Sequence, residues 1–363
     1  MTPDPEQNPL KLPRGTAVAS SRNSRARIAI LGLALIALAV FGCTPAPSCP
    51  PDICPQTTVW PQSDLAHKIQ DIYVLLFWLS VVVAVLVEGA LLYTMFKFKS
   101  RSTDVGRPPQ IHGNTALEIG WTIAPAVILV VIAVPTLQLL FEMRGQPPRD
   151  ALQVEAIGHQ WWWEFRYPDS NIITANEVRV PVGQPVNFQL RTADVIHSFW
   201  VPQMAGKLDL TPGRRQNLYF TPLTTGEYYG QCTEFCGLQH ANMRFRMVVE
   251  EPAAYQAWVQ RQQQPQPREA AEPDRVGQST FARAGCIACH TIDGTAAQGT
   301  LGPNLTHVGS RTTIAAGILD NTPENLYQWI RDPQAIKPGN LMPNLFLNPD
   351  DARAITQYLT NLK

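Results

Sequence analysis

Two apolar stretches constrain this chain more than any other feature. Residues 69–96 and 121–140 are each long enough to cross a hydrocarbon layer of ~30 Å and carry almost no charge. In such a layer every backbone polar group needs a partner within the protein, so each stretch is restricted to a helix. Two crossings return the chain to the side from which it started. Lys97, Lys99, Arg101 and Arg107 follow the first stretch, and that basic connection is expected to stay in the cytoplasm. Both ends of the hairpin, and everything after residue 141, are therefore expected on the outer face of a plasma membrane. Pro125 and Pro135 fall within the second stretch and are expected to kink or cap it.

Residues 1–27 are polar and Pro-rich, with Arg22, Arg25 and Arg27 ahead of a short apolar run at 28–42. A basic start and a short apolar run read as a secretory leader, here 1–43. Val40-Phe41-Gly42-Cys43 resembles a bacterial lipoprotein signal, although Phe41 is bulky for it; an ordinary signal peptide and an uncleaved anchor are the alternatives. Residues 44–68 form a Pro- and Cys-rich loop. Its Cys49 and Cys54 are free thiols or, in an oxidising compartment, a disulfide. Only 16% of the chain is charged, 45% is apolar, and the formal net charge is +0. That balance fits membrane attachment and gives no reason to expect a nucleic acid partner.

Two acids sit in or beside the spans. Glu88 lies inside the first, where a carboxylate is costly unless paired or hydrated; it is either functional or bonded to a partner subunit's helix. Glu118 precedes Trp121 at the cytoplasmic mouth of the second, an ordinary place for an acid. From residue 151 the pattern changes. Seven short runs at 152–157, 161–167, 177–181, 186–192, 216–221, 227–231 and 243–250 alternate or are β-branched, with Pro/Gly turns between. They read as a β-sandwich or barrel. Trp161-Trp162-Trp163 cannot all face inward, because neighbours on a strand point to opposite faces. At least one is expected to be exposed, on a docking or electron-transfer surface.

The sharpest chemical signal is His197 together with Cys232-Thr233-Glu234-Phe235-Cys236-Gly237-Leu238-Gln239-His240-Ala241-Asn242-Met243. A Cys-x3-Cys-x3-His-x2-Met run joins soft sulfur to borderline nitrogen, which suits copper. Two thiolates and two imidazoles exceed the needs of one blue-copper ion, and favour a dinuclear site with both sulfurs bridging. Residues 252–275, rich in Pro, Gln and Glu, read as a semi-extended linker rather than a packed element. A helical lead-in at 277–284 then precedes Cys286-Ile287-Ala288-Cys289-His290. Cys-x-x-Cys-His is the attachment motif of a covalent c-type haem, with the His on the iron; a redox dithiol and half a zinc site compete with that reading. A carbonyl of Gly302-Pro303-Asn304-Leu305 is placed to orient the His290 ring. Met342 is the only methionine after Cys289. It offers a distal ligand, with plain core filling as the alternative. A His–Met pair leaves no open site and favours electron transfer. A helix at 349–362 closes the chain.

From about residue 65 to the end, these residues resemble subunit II of the haem–copper cytochrome c oxidases, in the caa-type form with a fused cytochrome c domain. The resemblance implies a multidomain architecture. A two-helix transmembrane hairpin (69–141) leads to a cupredoxin-like β-sandwich (150–251), and the linker (252–275) to an all-α class I cytochrome c domain (276–363). It implies that Cys232 and Cys236 bridge the two coppers of a CuA centre, with His197 and His240 as terminal imidazoles. Met243 and the backbone carbonyl of Glu234 would complete one copper each, and the Glu234 side chain would reach a Mg2+ shared with subunit I. Gly158-His159-Gln160-Trp161-Trp162-Trp163 is similar to the family's aromatic stretch. It puts Trp161 where electrons enter, with Trp162 replacing the more usual Tyr. Glu118, ahead of Ile119-Gly120-Trp121-Thr122-Ile123, falls on the acid at the mouth of a proton channel of subunit I. Cys286, Cys289, His290 and Met342 would hold the haem c. Residues 207–214 are family-like without an assigned chemistry; Glu88 and the Cys49/Cys54 pair have no family role.

The implied function is an electron relay from cytochrome c or another one-electron donor to haem c, then CuA, then haem a of subunit I. Oxygen is reduced there, coupled to proton pumping, with subunit III as a further partner. A flexible linker would let the haem domain approach Trp161 while tethering raises its effective concentration. A quinol-oxidase subunit would lack the copper ligands, and the hairpin argues against the soluble nitrous oxide enzyme. A CuA-containing nitric oxide reductase subunit and a non-enzymatic membrane-anchored electron carrier or copper-delivery module remain as alternatives.

Overall fold

The computed structural model describes residues 56–99, 106, 110–267 and 269–363. The leader, Cys43, the Cys49/Cys54 pair, Arg101 and Arg107 lie outside those residues. Helices α1 (Asp64–Lys97) and α2 (Thr115–Met143) are long and apolar enough to cross a membrane. At 1.5 Å per residue they run roughly 50 and 43 Å, longer than the hydrocarbon layer requires. Each starts ahead of its apolar stretch because its cap lies in polar sequence. Ser63 Oγ accepts from Ala66 N at 3.0 Å, and Asn114 Oδ1 accepts from Ala116 N and Leu117 N at 3.1 and 3.2 Å. Such caps satisfy donors that the helix leaves free. Pro125 and Pro135 lie inside α2 without ending it.

Both helices are fastened to the β-domain at the end away from their connection. Asp64 Oδ1 accepts from Thr221 N at 2.7 Å, and Asp64 N donates to Thr221 O at 3.2 Å. Ser63 Oγ donates to Met204 O. Tyr219 OH donates to Glu142 O at 2.5 Å, and Lys68 pairs with Glu142 across the two helices.

The β-domain is a sandwich of two five-stranded sheets. Its strands are β1 (Leu152–His159), β2 (Trp162–Tyr167), β3 (Ile172–Ala175), β4 (Glu177–Pro181), β5 (Val186–Thr192), β6 (His197–Trp200), β7 (Leu208–Leu210), β8 (Gln216–Phe220), β9 (Gly226–Cys232) and β10 (Arg244–Glu250). The orders are β3-β2-β1-β5-β8 and β4-β10-β9-β6-β7. β1 pairs parallel with β5, and β4 with β10. Three strands beyond the expected runs, β3, β6 and β7, are only three or four residues long, too short for alternation to show. Between the sheets, Phe199 stacks on Phe245 at 4.9 Å and meets Trp163 edge-on at 5.6 Å.

The expected linker at 252–275 needs correction. Its first half is helix α3 (Pro252–Gln262), which buries Tyr255, Trp258 and Val259. Trp258 meets Tyr167 edge-on with centroids 5.3 Å apart. The Gln-rich composition resembled a linker, but Gln is a good helix former. The three apolar residues also recur at i, i+3 and i+4, which makes one sticky face.

In the C-terminal domain α4 (Arg275–Arg283) and α5 (Pro323–Arg331) pack on α7 (Pro349–Asn361), with a short α6 (Pro333–Ile336) and a two-stranded hairpin, β11 (Thr313–Ile314) and β12 (Leu319–Asp320). α4 and α7 cross at Gly277, where an added Cβ would lie 2.2 Å from Ala354 O. Gly277→Ala is therefore expected to break this crossing. The readout is proteolysis in membranes: the variant's C-terminal domain should be cut at protease levels the parent resists, and equal resistance would contradict the packing.

Candidate metal centre

Strand β6 supplies His197, β9 ends at Cys232, and the turn into β10 carries Cys236, His240 and Met243. Cys232 N donates to Met243 O at 3.0 Å, and Thr233 N to Ser198 O at 3.1 Å. These bonds close the turn over the end of β6. The two cysteine sulfurs then lie 3.8 Å apart. Cys232 Sγ is 3.8 Å from His197 Nδ1, and Cys236 Sγ is 3.7 Å from His240 Nδ1 and 3.9 Å from Met243 Sδ. The Glu234 carbonyl oxygen is 3.3 Å from Cys232 Sγ. His197, Cys232, Cys236 and Met243 are buried, while His240 is half-buried.

Asp194 sets the orientation of His197, holding its Nε2 at 2.8 Å. The same carboxylate accepts from Gln160 N and Val195 N, each at 2.7 Å, so it is itself fixed. Nδ1 is left facing the sulfur. Burial opposes a charged His197 ring, but the bonds to Asp194 and Cys232 outweigh it and hold the pKa above the ordinary value. A hydrogen bond from Cys236, joined by His197 and opposed by burial, holds the Cys232 thiol well below its usual range. A thiolate is the form that binds metal. His197, Cys232 and Cys236 bring their ligand atoms within 4.8 Å of one another, with His240, Met243 and the Glu234 carbonyl beside the sulfurs, and that donor set fits copper.

Trp161 sits against this cluster. Its indole Nε1 donates to Cys236 O at 2.9 Å, and Gln160 Nε2 donates to the same oxygen at 2.7 Å. Trp163 is in the core, and Trp162 stacks on His159 with centroids 4.1 Å apart. The expected exposed indole is thus corrected: Trp161 keeps 8% exposure and Trp162 is half-buried. The C-terminal domain covers them. Both line a cavity of about 400 Å3 whose other walls include Cys286, Cys289, His290 and Met342.

His290 Nδ1 lies 2.8 Å from Pro303 O. A carbonyl only accepts, so Nδ1 carries the proton and Nε2 is free for an iron. Burial lowers the His290 pKa, which keeps the ring neutral and able to ligate. A Cβ on Gly302 would stand 2.6 Å from His290 Cε1. Arg311 also lines the cavity. Burial lowers its pKa to about 10, and its Nε has no partner among the described residues. A half-buried guanidinium facing a cavity with a free donor suits an anion such as a haem propionate. The cavity fits a covalent haem.

Two expected site residues lie apart from these centres. The Glu234 side chain is 44% exposed and points toward Lys207, with Oε2 and Nζ 4.0 Å apart. Glu118 sits on the first turn of α2, where it accepts from Asn114 N at 3.3 Å. Sequence reasoning missed Asp194, Gln160, Arg311 and Lys337. Asp194 was findable from its place three residues before His197. Arg311 and Lys337 were not, because charges in loops are usually solvated. Lys337 is 3% exposed, and burial brings its pKa down to about 7.

Comparison with known proteins covers most of the chain. Residues 60–139 match the cytochrome C oxidase subunit II transmembrane domain, 170–251 its periplasmic domain, and 275–363 cytochrome c. Cytochrome c oxidase subunit 2 of Alkalihalophilus pseudofirmus is 36% identical over 317 residues, covering 85% of this chain and 91% of the relative. The Bacillus subtilis protein of the same name is 32% identical over 354 residues, covering 92% and 97%. A crystal structure of the periplasmic domain of the oxidase subunit II of Bradyrhizobium japonicum is 34% identical and covers 32% of this chain and 96% of that one, with a TM-score of 0.31. The family domains imply a CuA copper centre, a haem c, attachment to the membrane and association with the other subunits of a haem–copper oxidase. The chain belongs to the cytochrome c oxidase subunit II family, in the form with a fused C-terminal cytochrome c domain, and is the electron-relaying subunit of that oxidoreductase.

Proposed function

We propose that this subunit takes single electrons from a donor outside the membrane into its C-terminal domain and delivers them through Trp161 to the copper loop. From there they pass to haem a of subunit I, for O2 reduction coupled to proton pumping. One observation carries this path. Trp161 lines the haem cavity and at the same time donates its indole N–H to Cys236 O at 2.9 Å. A dinuclear copper and a His–Met haem supply one-electron chemistry without an open coordination position.

The residues have separable tasks. Cys232, Cys236, His197, His240, Met243 and the Glu234 carbonyl would hold the copper, the two thiolates supplying its soft sulfur donors. Asp194 holds His197 in the ligating tautomer, a role that ligand histidines generally require. Cys286 and Cys289 would attach the haem, His290 and Met342 would ligate its iron, and Arg311 would pair with a carboxylate of the haem. The Glu234 carboxylate, 4.0 Å from Lys207 Nζ, would share a Mg2+ with subunit I, and Glu118 would serve a proton channel mouth of that subunit. Lys97 and Lys99 at the connecting end of the hairpin favour the cytoplasm, which sets the soluble domains on the outer face, open to cytochrome c or a similar donor. Subunit III completes the complex.

Cys232→Ser is expected to abolish the mixed-valence dinuclear copper EPR signal while the haem c spectrum remains; an unchanged signal would reject this ligand set. Met342→Ala should let carbon monoxide bind the haem, and a spectrum indifferent to the gas would place the distal ligand elsewhere. Asp194→Ala should weaken copper binding about 10–100-fold in competition with a chelator. Parent-like affinity would remove Asp194 from the site.

A further inference from the structure

The contact between the two soluble domains is built around a buried lysine. Lys337 Nζ donates to Trp161 O at 2.7 Å and to Asn242 O at 2.8 Å. These acceptors are main-chain carbonyls of the copper domain, one beside the haem cavity and the other next to Met243. Further bonds surround this one. Gln239 Nε2 donates to Pro338 O at 2.5 Å, and Arg244 N to Ala316 O at 3.1 Å. At another edge the Glu177 carboxylate accepts from Thr312 N and Thr312 Oγ1 at 2.8 and 2.9 Å.

The loop that carries Lys337 also carries Met342, and it is internally braced. Gln334 Nε2 donates to Asn340 O and Met342 O at 2.9 and 2.8 Å. Asn340 Nδ2 donates to Pro333 O and Lys337 O at 2.9 and 2.7 Å. One end of the loop thus reaches the haem cavity and the other reaches the copper turn. Burying an amine in this way is costly unless its hydrogens are used. An apolar side chain would hold two surfaces together as well, but without direction. Two hydrogen bonds to carbonyls from separate segments fix distance and orientation together, the quantities on which electron tunnelling depends most steeply.

We propose that Lys337 is a positioning residue. It pins the Met342 loop to the carbonyls of Trp161 and Asn242, and so fixes the haem domain over Trp161 in one geometry. The proposal rests on the relay reading above. It also means that Trp161 is closed to an outside donor, which has to deliver its electron to the haem domain.

The test uses the purified oxidase complex. Lys337→Met keeps the side chain's reach and apolar stem but removes the donor hydrogens. Glu177→Ala loosens the same contact from the copper domain and leaves every haem-domain residue in place. Two quantities are read: the rate of haem c to copper electron transfer after photoreduction of the haem, and hydrogen exchange of the 158–163 segment. Lys337→Met should slow transfer about tenfold and speed exchange. Glu177→Ala should do the same to a smaller degree, and the haem midpoint potential should not move in either. Unchanged rate and exchange in both variants would overturn the proposal. So would a shifted haem potential in Lys337→Met with no effect of Glu177→Ala, because Lys337 would then act on haem ligation alone. A parent complex lacking the haem c band or the dinuclear copper signal would instead defeat the relay reading, and the exchange measurement would still decide the pin.

Discussion

Trp161 is held from two ends, and the relation of the two redox domains depends on both. Its indole N–H reaches Cys236 O inside the copper turn, while its own carbonyl accepts from Lys337 of the haem domain. The first bond shares, with Gln160 Nε2, the carbonyl of a buried cysteine and gives the indole N–H its partner. The second satisfies a buried amine. Because both bonds serve groups that have lost their water, neither is easily exchanged for solvent. The indole becomes a fixed spacer between the centres rather than a patch awaiting a partner.

The same economy of partners continues toward the membrane. The hairpin is not merely an anchor, since Asp64 and Ser63 bond to Thr221 and Met204 of the sandwich, and Tyr219 bonds to the end of α2. These contacts use the free donors and acceptors that helix ends always carry. The copper turn is consequently held at a set height over the spans, which is what transfer into a neighbouring membrane subunit requires.

Legibility in the sequence followed the range of the signal. The spans, the Cys232–Met243 spacing and the Cys286–His290 motif are local patterns, and each could be read from neighbouring residues. The pairing of the Pro303 carbonyl with His290 was also within reach. The failures were contacts across the chain. Residues 252–262 looked like a linker because composition hides the Tyr255–Trp258–Val259 face that packs on Tyr167. An exposed indole was expected because nothing local to residues 161–163 announces a domain more than a hundred residues later that covers them. Nothing local marks Lys337 or Arg311 either, because it is distant chain that buries Lys337 and half-buries Arg311.

Docking also changes what the remaining connection has to do. With α3 packed, about twelve residues join Gln262 to α4. A free chain of that length has an end-to-end distance of roughly 20 Å and would hold the haem domain at millimolar effective concentration. Encounters would be frequent without any specific contact, so frequency is not what the interface adds. It adds a single geometry. A loosely tethered domain would meet Trp161 in many orientations, most of them poor for tunnelling. The buried bonds of Lys337 and Glu177 select one of them, and the short connection only has to permit it.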